Sequence, residues 1–273
     1  MELKDRIAVV TGGARGIGFA IAEAFLAEDA RAVAIVDLDQ NDVDLAVAQL
    51  GERATGYAVD VSDRASVVAL VDDVEGRLGP IDLFVSNAGI GSGMGLEADA
   101  QTWDRVMGVN VMAHVYAAEA ALPSMLERGE GYLLSTASAA GLLGQIADMP
   151  YSVTKHAAVA VAEWLSITYG DQGIKVSCLC PQGVRTDLLA QAMGHTAVEA
   201  VVAQGLIEPE DVAAATIAGL RSEQFLILPH PEVADYYKYR AADTDGWLSR
   251  MRAIQARIVA ALNSTTAASA NDN

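Results

Sequence analysis

The stretch that most restricts the fold comes early. An apolar, β-rich run from Ile7 to Val10 passes into Thr11-Gly-Gly-Ala-Arg-Gly-Ile-Gly18, and a helical pattern, FAIAEAFLAE, follows at once. Strand, glycine turn and helix in direct succession form a phosphate cradle. Glycines allow the tight turn and a close backbone approach to a pyrophosphate, which rests on the unsatisfied N–H groups and positive dipole end of the helix. Gly12, Arg15, Gly16, Ile17 and Gly18 are the candidate contacts; the plainer role of the segment is an ordinary glycine-rich turn.

The next strand-like run, Arg31 to Val36, ends in Asp37, nineteen residues beyond Gly18. That is where a dinucleotide fold sets an acid against the adenosine ribose hydroxyls. A carboxylate there accepts from the 2'-OH and repels a 2'-phosphate, so NAD is expected rather than NADP. Asp39 adds to the repulsion, while Arg15 is the one feature of the loop that favours a phosphate. Helical and strand-like runs then alternate: a helix from Asn41 to Leu50, the strand ATGYAVDV, a helix from about Asp63 to Leu78, and the strand IDLFVS leading into Asn87-Ala88-Gly89. This spacing predicts a single α/β domain of three layers around a doubly wound, Rossmann-like parallel sheet. Ligands of such sheets lie off the carboxyl ends of the strands. Asp60, Val61, Asn87, Ala88 and Gly89 fall at such ends and are further cofactor candidates, with turn chemistry as their plainer role.

Farther on, Asn110 stands in an apolar helical stretch, TWDRVMGVNVMAHVYAAEAALPSML. A buried amide needs partners, so Asn110 is expected to bond a neighbouring strand or to bend the helix near a site. His114, one turn on, is expected to be a partnered helix histidine, because no metal-ligand spacing surrounds it. The strand Gly131 to Ser138 ends in a hydroxyl, thirteen residues before Tyr151. Tyr151 and Lys155 are four apart, on one face of a helix and a turn from each other. A phenol with a reference pKa of roughly 10 is protonated at neutral pH, and a fixed ammonium nearby favours the phenolate. The pair therefore suits acid/base work on an alcohol oxygen, with Ser138 placed to meet the same oxygen.

Composition narrows the partners. The 18 basic and 36 acidic residues leave a formal charge of -18, which repels nucleic acid and anionic membrane. The first residues, MELKDRIAVVTGG, lack the apolar core and cleavage site of a signal peptide. No run approaches the ~20 apolar residues of a membrane span, so a cytoplasmic location is expected. Cys178 and Cys180, two apart in the strand-like run KVSCLC, read as small core hydrophobes poorly placed to bridge. No metal site is expected.

Taken in order, Thr11-Gly12-x-x-x-Gly16-x-Gly18, Asp37, Asp60-Val61, Asn87-Ala88-Gly89, Asn110, Ser138, Tyr151-x-x-x-Lys155 and Pro181 with Thr186 resemble the short-chain dehydrogenase/reductase family in its compact form. The match runs from residue 5 to about 190. The resemblance implies that Tyr151 is the catalytic acid/base, that Lys155 holds the nicotinamide ribose and depresses the tyrosine pKa, and that Ser138 orients the substrate oxygen. It implies that Asn110 anchors a water linking Lys155 to solvent, that Pro181, Val184 and Thr186 contact the cofactor, and that the chain forms a homodimer or homotetramer. Two features depart from the family: Gln182 follows Pro181 where glycine is usual, and the C-terminus lacks the family's glycine-rich ending. In its place Trp247, Met251, Ile254 and Ile258 recur at helical spacing, in a helix expected from about residue 243 to 262 that packs on its own subunit or covers a partner or the substrate mouth. A disordered tail is expected from Asn263 to Asn273.

Three segments are expected to flank the reacting centre: Ile90 to Leu96, Leu142 to Met149, and Val184 to about Leu206, with a substrate lid over about 186–210. They supply Ile90, Met94, Leu142, Leu143, Ile146, Met149, Leu188, Leu189 and Met193, with Gln145 and Ser92 as polar handles. Arg185 is their only cation, which argues against a phosphorylated or carboxylate substrate. The expected activity is NAD-dependent interconversion of a hydrophobic secondary alcohol and its ketone. The alternatives are an NADP-dependent ketoreductase, and a dinucleotide-sensing protein without turnover.

Overall fold

Strands that read as unbroken apolar runs are expected to be covered on both faces. Strand β1 (Ile7–Thr11) is buried throughout, and so are β4 (Leu83–Ser86) and β5 (Gly131–Thr136). With β2 (Ala32–Asp37), β3 (Ala54–Ala58), β6 (Ile174–Leu179) and β7 (Leu226–Ile227) they form one parallel sheet in the order β3-β2-β1-β4-β5-β6-β7. The computed structural model describes the backbone of residues 1–192 and 205–271, and the side chains of 1–190 and 205–260.

Helices cover both faces. On one, α1 (Gly16–Ala27), α2 (Gln40–Leu50) and a helix at Pro209–Ser222 enclose a core that includes Ile21, Phe25, Val33, Ile35 and Leu220. On the other, α3 (Arg64–Arg77), α5 (Ala113–Arg128), the single turn α6 (Ala140–Leu143) and α7 (Met149–Tyr169) enclose Val71, Val74, Phe84, Met125, Ala158 and Ala162. The doubly wound α/β sheet is thus the fold of this chain. The order of strands reverses beside β1, between β1 and β4, and the carboxyl ends there open the crevice in which such sheets bind ligands.

Three elements differ from their sequence outlines. The run ATGYAVDV leaves the sheet early because the Asp60 carboxylate accepts from the Ser62 N–H at 2.9 Å and hydroxyl at 2.6 Å, turning the chain. The long helix around Asn110 is three pieces: α4 (Ala100–Met107), a π-helical turn at Gly108–Met112, and α5. At the C-terminus a helix runs Thr244–Asn271, past the boundary expected near 262. Its apolar stripe faces the chain's own core: Trp247 is buried and meets Tyr239 edge to face, Met251 packs on the same cluster, and Ile258 is buried. The tail from Asn263 and the lid residues 193–204, Met193 among them, fall outside the residues whose side chains are described.

Candidate active site

The glycine turn is held by its neighbours rather than by its own bonds. Gly12 and Gly16 have φ of 60° and 55°, a left-handed conformation that side chains disfavour. A Cβ on Gly18 would stand 2.1 Å from the Gly12 carbonyl oxygen, and one on Gly12 would stand 2.9 Å from the Ala88 Cα. Both glycines are therefore required by close approach. Asn87 binds the end of β4 to this turn, its side-chain amide donating to the carbonyls of Thr11 at 3.0 Å and Gly12 at 3.3 Å. The Thr11 hydroxyl accepts from the Asn87 and Ala88 N–H groups. Ile17 packs against the core beneath. Asp37 closes the other side, its carboxylate accepting from the Ala14 N–H at 3.2 Å and the Leu38 N–H at 2.8 Å. Arg15 is exposed and lies 3.5 Å from the Asp42 carboxylate, so a nearby acid offsets its charge.

Asp60 is engaged in its turn, and Val61 is buried beside it. Across the crevice, the Pro181 carbonyl accepts from the Ala139 N–H at 2.8 Å and the Ser138 hydroxyl at 3.4 Å. Thr186 approaches the glycine turn, since a Cβ on Gly16 would stand 3.3 Å from its Cγ2. Val184 is buried and pairs with Ile207 in an isolated parallel bridge. His230 braces this segment: its Nδ1 accepts from the Gln182 N–H at 3.2 Å and its Nε2 faces the Gly183 carbonyl at 3.1 Å. The sequence carried no periodic or spacing signal for that histidine.

Asn110 sits at a bend in the helix, one of the two outcomes expected of it, but its partners lie in the loop after β4 and in α7 rather than in a strand. Its side chain forms a pair of bonds with the Ile90 backbone, accepting from the N–H and donating to the carbonyl at 2.9 Å each, and it donates to the Thr154 hydroxyl at 3.0 Å. The π-turn that presents it is the bend; such turns gather at functional sites. Thr154 in turn donates to the Tyr151 carbonyl, so the turn around Asn110 and helix α7 are one unit.

Ser138, Tyr151 and Lys155 meet beneath the crevice. Ser138 and Lys155 are buried, and Tyr151 is half-buried. The Lys155 ammonium lies 5.6 Å from the Tyr151 ring centroid and donates to the Thr136 carbonyl at 3.0 Å. Burial lowers its pKa to about 8. For Tyr151 the outcome is opposite to that expected from the pairing. Burial pushes the phenol above its ordinary pKa against the pull of the Ser138 hydrogen bond, and Asp148 and Cys180 push it further. Desolvation of the phenolate is the largest cause, while the Lys155 ammonium over the ring is turned to the Thr136 carbonyl.

His114 also departs from expectation. It is 2% exposed, and neither ring nitrogen has a hydrogen-bond partner. Burial first, and the Lys155 charge second, lower its pKa to about 3. Leu142 and Leu143, expected beside the reacting centre, are buried in the core. Ser92 is already bonded, to Asp148. Cys178 and Cys180 are free and buried with sulfurs 3.7 Å apart.

Comparison with known proteins identifies the family. A family described as short chain dehydrogenase matches residues 6–196. The chain belongs to the short-chain dehydrogenase/reductase family. This short-chain dehydrogenase is 37% identical over 229 residues to the 2-(S)-hydroxypropyl-CoM dehydrogenase 3 of Xanthobacter autotrophicus, covering 79% of this chain and 89% of that one. It is 32% identical to a 3alpha-hydroxysteroid dehydrogenase of Mediterraneibacter gnavus, over 78% of this chain and 88% of that one. A short-chain dehydrogenase from Burkholderia phymatum, solved in complex with NAD, superposes with a TM-score of 0.82 at 30% identity, covering 90% and 96% of the two chains. These relatives place the chain among oxidoreductases of hydroxyl groups, a family that binds a nicotinamide dinucleotide and a small-molecule substrate. Among the described residues no helix is long and apolar enough to cross a membrane, and no group of three His, Cys, Asp or Glu is arranged to hold a metal ion.

Proposed function

We propose that this short-chain dehydrogenase uses NAD to interconvert a hydrophobic secondary alcohol and its ketone, with Tyr151 as the acid/base. The observation that carries the reading is the Asp37 carboxylate bonded to the glycine turn, beside an Arg15 whose charge Asp42 offsets. A 2'-phosphate there would face a carboxylate with no free cation of the turn to meet it, whereas ribose hydroxyls would donate to it. The ground itself suits a dinucleotide: a Cβ on Gly16 would intrude before Thr186 and one on Gly89 before the Lys155 ammonium, while Gly12 and Gly18 let the turn close on itself.

The bound nicotinamide ring supplies the hydride chemistry. The chain's own residues do the rest. Asp37 and the glycine turn hold the adenosine and pyrophosphate end, Asn87 keeps that turn against β4, and Lys155 meets the ribose beyond Gly89. Ser138 orients the substrate oxygen, and Tyr151 gives or takes its proton. Asn110 braces the loop at Ile90 and, through Thr154, the catalytic helix; its π-turn is the place for a relay water to Lys155. A raised phenol pKa means that Tyr151 carries its proton at neutral pH. Ketone reduction is therefore expected to hold its rate from acid to neutral pH, and alcohol oxidation to rise as the pH becomes alkaline.

For the substrate, Arg185 is paired with Glu208 at 2.7 Å, leaving the described flanking segments without an uncommitted cation for an acidic group. The dehydrogenases described above are named for substrates as different as 2-(S)-hydroxypropyl-CoM and a 3alpha-hydroxysteroid, and an uncharged alcohol fits a lining without an uncommitted cation. A cytoplasmic dimer or tetramer accords with the reading. The test is absorbance of reduced nicotinamide with NAD or NADP and a panel of alicyclic, aromatic and steroid secondary alcohols. Tyr151→Phe should lower kcat by on the order of 10³-fold with NAD affinity within a few-fold of wild type. Turnover that survives the substitution, or a wild type that prefers NADP, would sink the reading.

A further inference from the structure

The loop that follows Gly89 and the amino end of the tyrosine-bearing helix converge on one carboxylate. Asp148 Oδ2 accepts from the backbone N–H groups of Ser92 and Gly93, each at 2.8 Å. Its Oδ1 accepts from the Ser92 hydroxyl at 2.7 Å and from the Tyr151 N–H at 3.0 Å. Alongside, the Met149 N–H donates to the Met94 carbonyl at 2.8 Å. All four partners of Asp148 are donors, so the position suits a group that only accepts, an ionised carboxylate. Gly91 leaves the oxygen its room, since a Cβ there would stand 3.2 Å from Oδ2.

Other acidic helix caps in the molecule do less. Asp63 and Asp99 take their donors from the first turns of their own helices, at Ser66 and Thr102. Asp148 draws one donor from its helix and the others from a segment more than fifty residues away in sequence. Capping alone needs only the first.

We propose that Asp148 is a positioning residue, locking the substrate-side loop of residues 90–96 to the first turn of the helix that presents Tyr151, so that pocket wall and acid/base keep one geometry. Ser92 then serves the clamp rather than the substrate. The kinetic consequence rests on the alcohol-dehydrogenase reading; the clamp does not.

The test compares wild type, Asp148→Ala, Ser92→Ala and the double variant with NAD and the best substrate among cyclohexanol, 1-phenylethanol and meso-2,3-butanediol. Loss of the clamp raises the alcohol KM about five- to tenfold in each single variant, leaves the NAD KM within about twofold, and makes the second substitution nearly silent once the first is present. If Ser92 instead gripped the substrate, its removal would cost as much in the Asp148→Ala background as in wild type, and that result overturns the proposal. So does an alcohol KM unchanged in Ser92→Ala, the outcome for a mere cap and the arm that decides if Asp148→Ala does not fold. Hydrogen exchange gives a readout free of turnover: amides of residues 91–95 should exchange at least about tenfold faster in Asp148→Ala, with those of β1 to β4 unaltered. Unchanged exchange there also overturns the clamp. Faster exchange in a protein that oxidises none of these alcohols supports the clamp and counts against the substrate reading alone.

Discussion

From Thr11 to Gly18 the molecule is shaped by backbone, with two glycines in left-handed conformation, a Cβ-free contact at Gly18 and carboxylates and amides around the rim. At Tyr151 it is shaped by side chains, an ammonium, a phenol and a hydroxyl sunk beneath the crevice. The cradle leaves the first N–H groups of α1 without a side-chain cap and keeps its charged groups, Asp37 and Arg15, at the rim rather than in the core. The acid/base centre carries a lysine whose pKa burial has lowered to about 8 and a phenol displaced the other way. Affinity and stability sit together at the first region, whereas at the second a reactive group is kept at the expense of stability.

Lys155→Met breaks that comparison most sharply. Activity should fall by on the order of 10³-fold, since the substitution removes the charge beside Tyr151 and the proposed ribose contact. Stability at pH 7 should rise. Folding lowers the lysine pKa from 10.5 to about 8, so the charged form is disfavoured in the folded state by up to about 3 kcal/mol. Loss of the bond to Thr136 offsets part of this, leaving a gain of about 1–2 kcal/mol, or roughly 3–6 °C in Tm. The sign follows from linkage. Wild type gains stability between about pH 8 and 10.5, where only the unfolded lysine holds its proton, so the advantage of the variant shrinks across that window. A variant that melts below wild type at pH 7 would show that the lysine is a net structural support.

Asp37→Ala is the matching change at the cradle. Removing the proposed acceptor of ribose hydroxyls and repeller of phosphate should lower the NAD-over-NADP ratio of kcat/KM about 10- to 100-fold. Thermal stability should shift by less than about 1 kcal/mol, because the carboxylate holds only N–H groups at the rim. An unchanged ratio would remove Asp37 from cofactor choice.

The two regions also differ in how far they can be read from a sequence. The cradle is local: glycines at fixed spacing between a strand and a helix, and an acid at the end of the next strand, announce themselves in order. Asn87, Asn110, Ser138, Tyr151 and Lys155 were legible as residues, and the fold gathers them along one crevice. Their energies were not legible. The four-residue offset says that Lys155 faces Tyr151, but not that its Nζ turns to the Thr136 carbonyl or that burial raises the phenol pKa. Leu142, expected as a pocket wall, points into the core because the helix after Ser138 is a single turn, Ala140–Leu143, packed inward. Asp148 and His230 carry no sequence signal of their roles because the partners that define them come from distant segments.

His114 offers the finest discrimination between groups the site uses and groups it merely encloses. It stands one turn beyond Asn110, buried, with both ring nitrogens unpartnered. Replacing it with leucine removes polar atoms whose burial costs about 1–2 kcal/mol and inserts a side chain suited to the surrounding core. The pH dependence separates this from a simple packing gain. Folding depresses the histidine pKa from 6.5 to about 3, so its contribution is fully present above pH 6.5 and is lost as the pH falls toward 3. Between pH 7 and 5 wild type should lose up to about 2 kcal/mol through this one group, a loss that His114→Leu should escape while retaining alcohol turnover within a few-fold. Denaturant melts of both proteins at pH 7, 6 and 5 would measure it. Curves that stay parallel would mean that the ring finds a hydrogen-bond partner in solution, and a fall in turnover would move His114 from the enclosing core into the proton path of Lys155.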